Sequence, residues 1–366
     1  MNLTTSRESL LRPLQAVIGV VERRQTMPIL ANVLLVARNG QLSITATDLE
    51  VELVARSVVD EMKAEGEITV PARKLLDICR ALPEEATVNA RLDGDRMVVK
   101  SGRSRFMLST LAAADFPVID DIEAKREITL AQADVHKLLD KTHFSMAQQD
   151  VRYYLNGLLL ETAGGTLRAV ATDGHRLALC EVGLVDESGA AEQVIIPRKG
   201  VLELQRLLGD DDDVQLAIGA NHIRANIGSI RFTSKLIDGR FPDYDRVIPK
   251  PDGNRLRAGR DYLRSALQRA AILSNEKYRG IRLDLASKCL KIQANNPDQE
   301  EAHDEIEVDY DGEEIEIGFN VNYLLDALGA VDADEVELGF VDANSSCVIH
   351  GPGVEDAKFV VMPMRL

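Results

Sequence analysis

The sequence lacks the usual marks of secreted and membrane-spanning proteins. Its four cysteines stand apart with no Cys-x-x-Cys pair, which favours reduced thiols packed as small apolar side chains inside a cell. No stretch approaches the roughly 18 consecutive apolar residues of a membrane span, and residues 1–11 contain no basic region followed by an apolar one, so we expect no signal peptide. The sequence therefore predicts a soluble cytoplasmic protein without a membrane partner.

Motifs for catalysis and metal binding are also missing. The acidic clusters at 209–213 and 298–305 lack the glycine and ligand spacing of a calcium loop, and no zinc, phosphate-loop or nucleophile-elbow pattern occurs. His175 lies close to Asp173, but no nucleophile or third orienting group accompanies this pair. We therefore expect a protein that is not an enzyme and has no cofactor or metal ion. A metal-dependent enzyme stays open as the alternative.

What the chain does have is a long threefold repeat. ATDLEVELVAR at 46–56 recurs as ATDGHRLALCEV at 171–182 and, more faintly, at 294–308. Asp48 and Asp173 are 125 positions apart. Because a repeat of this length is large enough to bury its own core, we expect three similar domains. Their expected bounds are 1–125, 126–250 and 251–366.

Each copy contains the same kinds of element. Runs of β-branched residues flank an Asn-Gly or Gly-Gly pair at 32–48 and 154–173, which is the local pattern of an antiparallel hairpin. Two apolar patterns with helical spacing interrupt the strands of each copy, and Thr5 with Glu8 fits a capping box. The predicted fold class is α+β, with two helices packed on antiparallel sheets in each domain. The six helices are expected within 6–17, 71–82, 131–142, 197–208, 260–271 and 319–330.

Charge differs between these helices and the rest of the chain. The six windows carry thirteen basic and seven acidic side chains, whereas the whole chain has a net charge of −16. Lysine and arginine on one amphipathic helix often form only a solvated face. Their recurrence in five of six helices, against an acidic background, favours a functional basic surface. The last window, which has no lysine or arginine, departs from the pattern.

From end to end, the sequence resembles the bacterial DNA polymerase III beta subunits, the sliding clamps. The resemblance is carried by PARKLLDICRALP at 71–83, FSMAQQDVRYYLNG at 144–157, FTSKLIDGRFPDY at 232–244, RAAILSNEKYRG at 269–280 and VVMPMRL at 360–366. It implies the DNA clamp fold, in which two protomers join head to tail as a ring of six domains with the helices lining the hole. Twelve helices about 10 Å apart would leave a bore of about 27 Å, which admits a duplex.

The resemblance also implies a function and partners. It implies a homodimeric processivity factor that encircles double-stranded DNA without sequence preference and slides along it. The implied partners are the clamp loader, the alpha subunit of the replicative polymerase, and other polymerases or repair proteins that carry clamp-binding peptides. Such a protein would act in the bacterial cytoplasm, at the replisome.

Three sets of site residues follow from the resemblance. The duplex-contacting positions correspond to Arg24, Arg73, Gln149, Tyr153 and Tyr154. The partner-peptide pocket corresponds to Arg152, Leu155, Thr172, Gly174, His175, Arg176, Leu177, Pro242, Val247, Asn320, Tyr323, Ser346, Val360, Val361, Met362, Pro363, Met364 and Arg365. The dimer interface corresponds to Lys74, Arg103, Arg105, Phe106 and Leu108 of one protomer and to Ile272, Leu273, Glu300, Glu301 and Glu305 of the other.

Ordinary packing is the alternative for several of these residues. Tyr153 and Tyr154 could pack in a half-buried strand, where tyrosine is common. The apolar string at 360–364 could be a strand that only stabilises the fold, although its two methionines suit a groove that accepts several ligands. A three-domain scaffold that never encircles DNA is the corresponding alternative for the whole chain.

Overall fold

The helices lie where their apolar spacing predicted them. A computed structural model describes residues 1–21, 27–119, 121–185, 191–209, 211–250 and 254–365. Within these residues, each of the six α-helices falls inside its predicted window, which confirms the prediction. The helices are α1 (Arg7–Val17), α2 (Ala72–Ala81), α3 (Gln132–Thr142), α4 (Arg198–Leu207), α5 (Arg260–Ala271) and α6 (Val321–Ala330).

Short antiparallel strands make up most of the remaining structure. The first thirteen are β1 (Asn2–Ser6), β2 (Asn32–Arg38), β3 (Gln41–Thr47), β4 (Val51–Val58), β5 (Glu61–Ala64), β6 (Gly66–Pro71), β7 (Thr87–Asp93), β8 (Arg96–Ser101), β9 (Ser104–Ser109), β10 (Arg126–Ala131), β11 (Gly157–Ala163), β12 (Thr166–Thr172) and β13 (Arg176–Gly183). The others are β14 (Glu192–Pro197), β15 (Asp213–Ile218), β16 (His222–Ile227), β17 (Ile230–Lys235), β18 (Asn254–Gly259), β19 (Gly280–Ala286), β20 (Cys289–Asn295), β21 (Glu301–Glu307), β22 (Ile315–Asn320), β23 (Glu335–Phe340), β24 (Cys347–His350) and β25 (Ala357–Val361).

The described residues form two compact units. The first unit comprises Met1–His136 with Lys199–Leu236, and the second comprises Lys137–Arg198 with Ile237–Leu366. Both units take residues from the central third of the sequence. The three-domain bounds therefore stay a prediction from the repeat.

Each unit contains one eight-stranded sheet, and the two sheets have the same topology. The first has the order β10-β15-β16-β17-β4-β3-β2-β6, and the second, written from its other edge, has the order β18-β23-β24-β25-β13-β12-β11-β14. The central pairing matches too, because Val51 pairs with Ser234 in the first sheet and Arg176 pairs with Val361 in the second. The first unit also has a sheet β5-β1-β7-β8-β9, and the second has a sheet β21-β20-β19-β22.

The predicted hairpins are present. Asn39 and Gly40 join β2 to β3 with φ of 52° and 72°, and Gly164 and Gly165 join β11 to β12 with φ of 56° and 76°. Two consecutive residues with positive φ are what a tight hairpin turn of this kind requires, and glycine and asparagine adopt them at the least cost. These turns set the register of the neighbouring strands.

The predicted capping box at α1 was wrong by one residue. Ser6 is the N-cap, and its hydroxyl accepts a hydrogen bond from the backbone N–H of Ser9 at 3.1 Å. Thr5 is fully buried in β1, where it pairs with Val88, so its side chain is not available as a cap. Glu8 instead forms an ion pair with Arg12 at 2.7 Å.

Three of the four cysteines are buried, as the composition predicted. Cys79, Cys180 and Cys347 are fully buried, and burial raises the pKa of the Cys79 and Cys180 thiols to about 11. Cys289 is partly exposed. In the part of the chain that the structure describes, no helix has the length and apolar character needed to cross a membrane.

Candidate functional site

A tight turn between β12 and β13 forms the centre of the candidate groove. The carboxylate of Asp173 accepts hydrogen bonds from the backbone N–H groups of His175 at 2.9 Å and Arg176 at 3.0 Å. The hydroxyl of Thr172 donates to the carbonyl of Arg176 at 2.6 Å and accepts from the N–H of Gly174 at 3.1 Å. Gly174 has a φ of +87°, a conformation that favours glycine. The turn therefore holds Gly174 and His175 exposed above the sheet.

Arg176 joins this turn to α6 and to the segment after α3. Its guanidinium donates to the carboxylate of Asp173 at 3.1 Å, to the carboxylate of Asp326 at 2.5 Å and to the carbonyl of Phe144 at 2.6 Å. The same group lies over the ring of Tyr323, 4.6 Å from its centroid. Because only 14% of the Arg176 side chain is exposed, these contacts fix its position.

A second arginine borders the exposed side of the turn. Arg152 makes two hydrogen bonds to the carboxylate of Asp150, at 3.1 and 2.9 Å, and these hold the pKa of Asp150 at about 2. Arg152 also donates to the carbonyl of Asp173 at 3.3 Å. A Cβ added at Gly174 would lie 2.9 Å from Nη2 of Arg152, so the guanidinium packs directly against the turn.

Apolar side chains form the floor. Leu177 and Val360 are buried in one cluster, and Val247 and Tyr154 pack against it. Val360 belongs to β25, which pairs with β13 next to the turn. Leu155 is also buried, at 2% exposure. The candidate groove thus combines an apolar floor with arginines that pair with aspartates at its rim.

The segment after β25 is bound to the same region through its backbone. The N–H of Met362 donates to the carbonyl of His175 at 2.8 Å, and the N–H of Met364 donates to the carbonyl of Gly318 at 2.9 Å. Ser346 donates to the carbonyl of Val247 at 3.2 Å. The backbones of Met362 and Met364 are therefore fixed while their side chains stay half-exposed.

The other predicted groove residues are Pro242, Asn320, Val361, Pro363 and Arg365. Asn320 caps α6 by accepting from the N–H of Asn322 at 2.9 Å. Val361 is buried, Pro363 is half-buried, and Pro242 and Arg365 are exposed. Asn320 therefore stabilises the start of α6. The turn, Tyr323, Val247 and β25 lie together in the candidate groove.

The predicted duplex-contacting residues of the second unit lie on one exposed loop. Gln149 has a φ of 58°, and Tyr153 is 56% exposed. Tyr153 and Tyr154 lie in a 3-10 turn, Tyr153–Leu155, with ring centroids 5.8 Å apart, so neither lies in a strand, although Tyr154 packs half-buried against the apolar cluster. In the first unit, Arg73 donates to the carbonyl of Val21 at 2.7 Å. Arg24 lies outside the described residues.

The predicted interface residues lie at two sheet edges and beside them. β9, at the edge of its sheet, carries Arg105, Phe106 and Leu108, and β21, at the edge of another, carries Glu301 and Glu305. An edge strand presents backbone N–H and C=O groups that a further strand can pair with. Near these edges, Ile272 is 75% exposed. Lys74, Arg103 and Glu300 are exposed, and Leu273 is half-buried.

Comparison with known proteins accounts for the repeat. Three family models match consecutive parts of the chain: the N-terminal domain of the DNA polymerase III beta subunit at 1–120, the central domain at 129–243 and the C-terminal domain at 245–365. The chain belongs to the DNA polymerase III beta subunit family.

Curated members of the beta subunit family match along their whole length. The beta sliding clamp of Pseudomonas aeruginosa is 56% identical and that of Escherichia coli K12 is 54% identical, with 100% of each chain covered. Among solved structures, the beta subunit from Pseudomonas aeruginosa has a TM-score of 0.98 at 55% identity, and another from that organism, bound to griselimycin, has a TM-score of 0.97 at 55% identity. Each covers all of this chain and is itself fully covered.

Several basic helix residues have structural roles in this beta subunit family member. Four of the thirteen donate to carbonyls at the C-terminal ends of helices, where a cation complements the helix dipole and the unsatisfied carbonyls. They contribute less to an open basic surface than the sequence suggested. The contacts are Arg7 to Cys79 (2.8 Å), Lys141 to Ala330 (2.6 Å), Arg206 to Ala16 (2.6 Å) and Arg260 to Val331 (2.7 Å).

The sequence did not predict the residues that bind Arg176 directly but are distant from it along the chain. Phe144 and Asp326 are 32 and 150 positions away along the chain, so no local pattern connects them to it. Asp150, which binds Arg152, does lie inside the quoted segment FSMAQQDVRYYLNG. Asp150 lies two residues before Arg152, and this spacing is the signal that could have identified it.

Proposed function

We propose that this protein is the processivity factor of DNA polymerase III, a homodimeric ring that encircles duplex DNA, slides along it and tethers the polymerase. The observation that carries this proposal is the match to beta sliding clamps over the full length, at 54 to 56% identity. The protein acts as a non-catalytic subunit, in the bacterial cytoplasm. Because topology retains the DNA, contacts with the phosphates can stay weak, salt-dependent and independent of sequence.

The sheet edges support a head-to-tail dimer. β9 of one protomer and β21 of the other can extend each other's sheets, since both end a sheet in the described chain. Arg103 and Arg105 flank the first edge, and Glu301 and Glu305 lie on the second, so the charges are complementary. Such a contact joins two different surfaces, so two copies of it close a ring if the angle between protomers allows.

Apolar side chains complete this proposed interface. Phe106 on β9 is half-buried and Leu108 is 6% exposed, while Ile272 and Leu273 follow α5 near the second edge. The 75% exposure of Ile272 is high for an isoleucine in a chain that stays alone. An apolar centre between opposite charges gives the contact both stability and register.

The groove supports the binding of short partner peptides. Its buried floor of Leu177 and Val360 suits apolar anchors, and the flexible methionine side chains of Met362 and Met364 suit several ligands. Arg152, whose side chain is 47% exposed, supplies donors for backbone carbonyls or carboxylates of the peptide. The partners proposed are the clamp loader, the polymerase alpha subunit and other polymerases or repair proteins that carry clamp-binding peptides.

Duplex contact is proposed for the exposed loop with Gln149, Tyr153 and Tyr154, together with Arg73. The half-exposed tyrosine rings can approach the sugar-phosphate backbone, and Gln149 is an uncharged donor. Arg24, which also corresponds to a duplex-contacting position of the family, is proposed as a further contact. Few charged contacts are compatible with sliding, because each additional phosphate contact increases the affinity that movement must overcome.

The experiment that tests this function compares closed and open DNA. The labelled protein is loaded by its clamp loader on a nicked circular plasmid, freed of unbound protein by gel filtration, and followed after the plasmid is cut once. We expect retention on the circle and loss from the linear duplex. Equal retention on both forms would favour gripping or a scaffold and would contradict the ring.

The matched control for that experiment is an opened interface. The double substitution Ile272→Ala with Leu273→Ala removes the apolar centre and should abolish retention on the nicked circle. Sedimentation of the same variant at nanomolar concentration should give monomers. A variant that stays dimeric would show that the interface lies elsewhere.

A further inference from the structure

The first unit contains a second copy of the turn that forms the groove. The carboxylate of Asp48 accepts from the N–H groups of Glu50 at 2.9 Å and Val51 at 2.7 Å. The hydroxyl of Thr47 donates to the carbonyl of Val51 at 2.9 Å and accepts from the N–H of Leu49 at 3.0 Å. Leu49 has a φ of 77°, in the same region as Gly174. Both turns therefore have the same backbone and the same four hydrogen bonds.

A cavity of about 410 Å³ lies beside this first turn. Its lining includes Thr47, Leu49, Pro117 and Ile122, which lie 125 positions before Thr172, Gly174, Pro242 and Val247 of the candidate groove. Lys235, at the end of β17, lines it on the side that corresponds to β25. A volume of this size is in the range of ligand-binding clefts.

Apolar surface is exposed in this cavity. Leu49 is 39% exposed and Val118, another lining residue, is 58% exposed. Ile119 is held in place because its N–H donates to the buried carboxylate of Glu52 at 2.8 Å. Residues 117–119 thus form a wall of the cavity that this hydrogen bond attaches to β4.

The charged residues around the cavity differ from those at the equivalent positions of the second unit. At the positions of His175, Arg176 and Arg246, the first copy has Glu50, Val51 and Asp121. Asp121 and Glu123 both line the cavity, with Lys235 as a cation opposite them.

The carboxylate of Asp121 accepts a hydrogen bond from the guanidinium of Arg224 and is otherwise open to solvent. It lies 3.3 Å from Arg224, yet 94% of its side chain is exposed. The lining of this cavity therefore has two carboxylates, Asp121 and Glu123, against one lysine, whereas the charged side chain exposed beside the second turn is Arg152.

We propose that this cavity is a second docking groove, which takes an extended segment of a partner protein with a lysine or arginine beside an apolar anchor. The turn and the wall would hold the apolar side chain, and Asp121 and Glu123 would bind the cation. This proposal rests on the proposed function of the second groove, in which the equivalent turn helps to bind a peptide. The two carboxylates in the cavity lining are what assign a different class of peptide to the first.

The test uses two fluorescein-labelled pentapeptides and fluorescence polarisation on the full-length protein. The basic probe is Lys-Leu-Val-Leu-Arg, and the acidic probe is Glu-Leu-Val-Leu-Asp. We expect the basic probe to bind the wild-type protein at least about tenfold more tightly than it binds the variant Asp121→Ala, which corresponds to about 1.4 kcal/mol. Leu49→Gly, which keeps the positive φ and removes the apolar wall, should weaken the basic probe in the same direction.

Two controls separate this groove from the second one. Val58→Ala changes an exposed apolar residue outside the cavity lining and should leave the basic probe unaffected. Arg152→Ala should also leave it unaffected, and Leu49→Gly should still be retained on the nicked circle. Weakening of the basic probe by Arg152→Ala alone, or no binding of it at all, would overturn this proposal while the ring experiment stays independent of it.

Discussion

The turns at Asp48 and Asp173 have the same backbone and different surroundings. In both, a threonine and an aspartate satisfy the same backbone groups through the same four hydrogen bonds. After the turn, the first copy continues with Val51 and the second with Arg176. The difference indicates that the Thr-Asp pair determines the backbone conformation of the turn. The residues around the turn determine which ligand can bind there.

The next position shows the same division between frame and surroundings. In the first copy it is Glu52, a carboxylate with 1% exposure that accepts from the N–H of Ile119 at 2.8 Å. In the second it is Leu177, which belongs to an apolar cluster. The first unit therefore uses a buried carboxylate to hold a loop, and the second uses apolar packing under its groove.

The largest expected effect comes from replacing Arg176 with valine, the residue at the equivalent position 51 of the first copy. Arg176→Val removes donors from Asp173, Asp326 and the carbonyl of Phe144. Because Asp173 and the carbonyl are shielded from water, we expect a loss of about 2 to 3 kcal/mol in the free energy of unfolding, measured by urea denaturation. Binding of the acidic pentapeptide should be lost as well. Arg152→Ala, at a more exposed position, is the matched control and should leave stability nearly unchanged.

A smaller effect is expected from removing the carboxylate of each turn. Asp48→Ala and Asp173→Ala each leave two backbone N–H groups without their acceptor, and we expect each to cost about 1 to 2 kcal/mol in the same assay. Only Asp173→Ala should weaken the acidic pentapeptide.

Asparagine variants at the two positions serve as controls for the backbone contacts. They keep the side-chain oxygen and should cost less than the alanine variants. A large loss for one alanine variant and none for the other would contradict the equivalence of the two turns.

The smallest effect is a change in pH dependence at Glu52. Burial raises the pKa of this carboxyl, so the folded chain holds its proton more tightly than the unfolded chain does. The stabilising contribution is complete below the unfolded pKa and is lost as the pH rises through the folded pKa. Glu52→Gln does not titrate, so its stability relative to wild type should rise as the pH increases above about 4, where the glutamate of the unfolded chain ionises. A constant or falling difference would contradict this assignment.

The helices and hairpins could be predicted because their causes are local. Apolar spacing located α1 to α6, and Asn39 with Gly40 predicted a tight hairpin. The support of Arg176 could not be predicted, because Phe144 and Asp326 reach it only after folding. Likewise, the count of basic residues did not reveal that Arg7 caps the end of α2, which is 72 positions away. The capping residue at α1 was misassigned because β1 buries Thr5.

The pairing of β4 with β17 has a consequence for synthesis on the ribosome. Ala55 faces Ile230, so the first large sheet stays incomplete until residues 230–235 have emerged. During that time β4 is an unprotected edge in the nascent chain, and pairing across so long a loop is slow. A chaperone that shields this edge during translation would raise the yield of active protein, and slower translation before residue 230 would lower it.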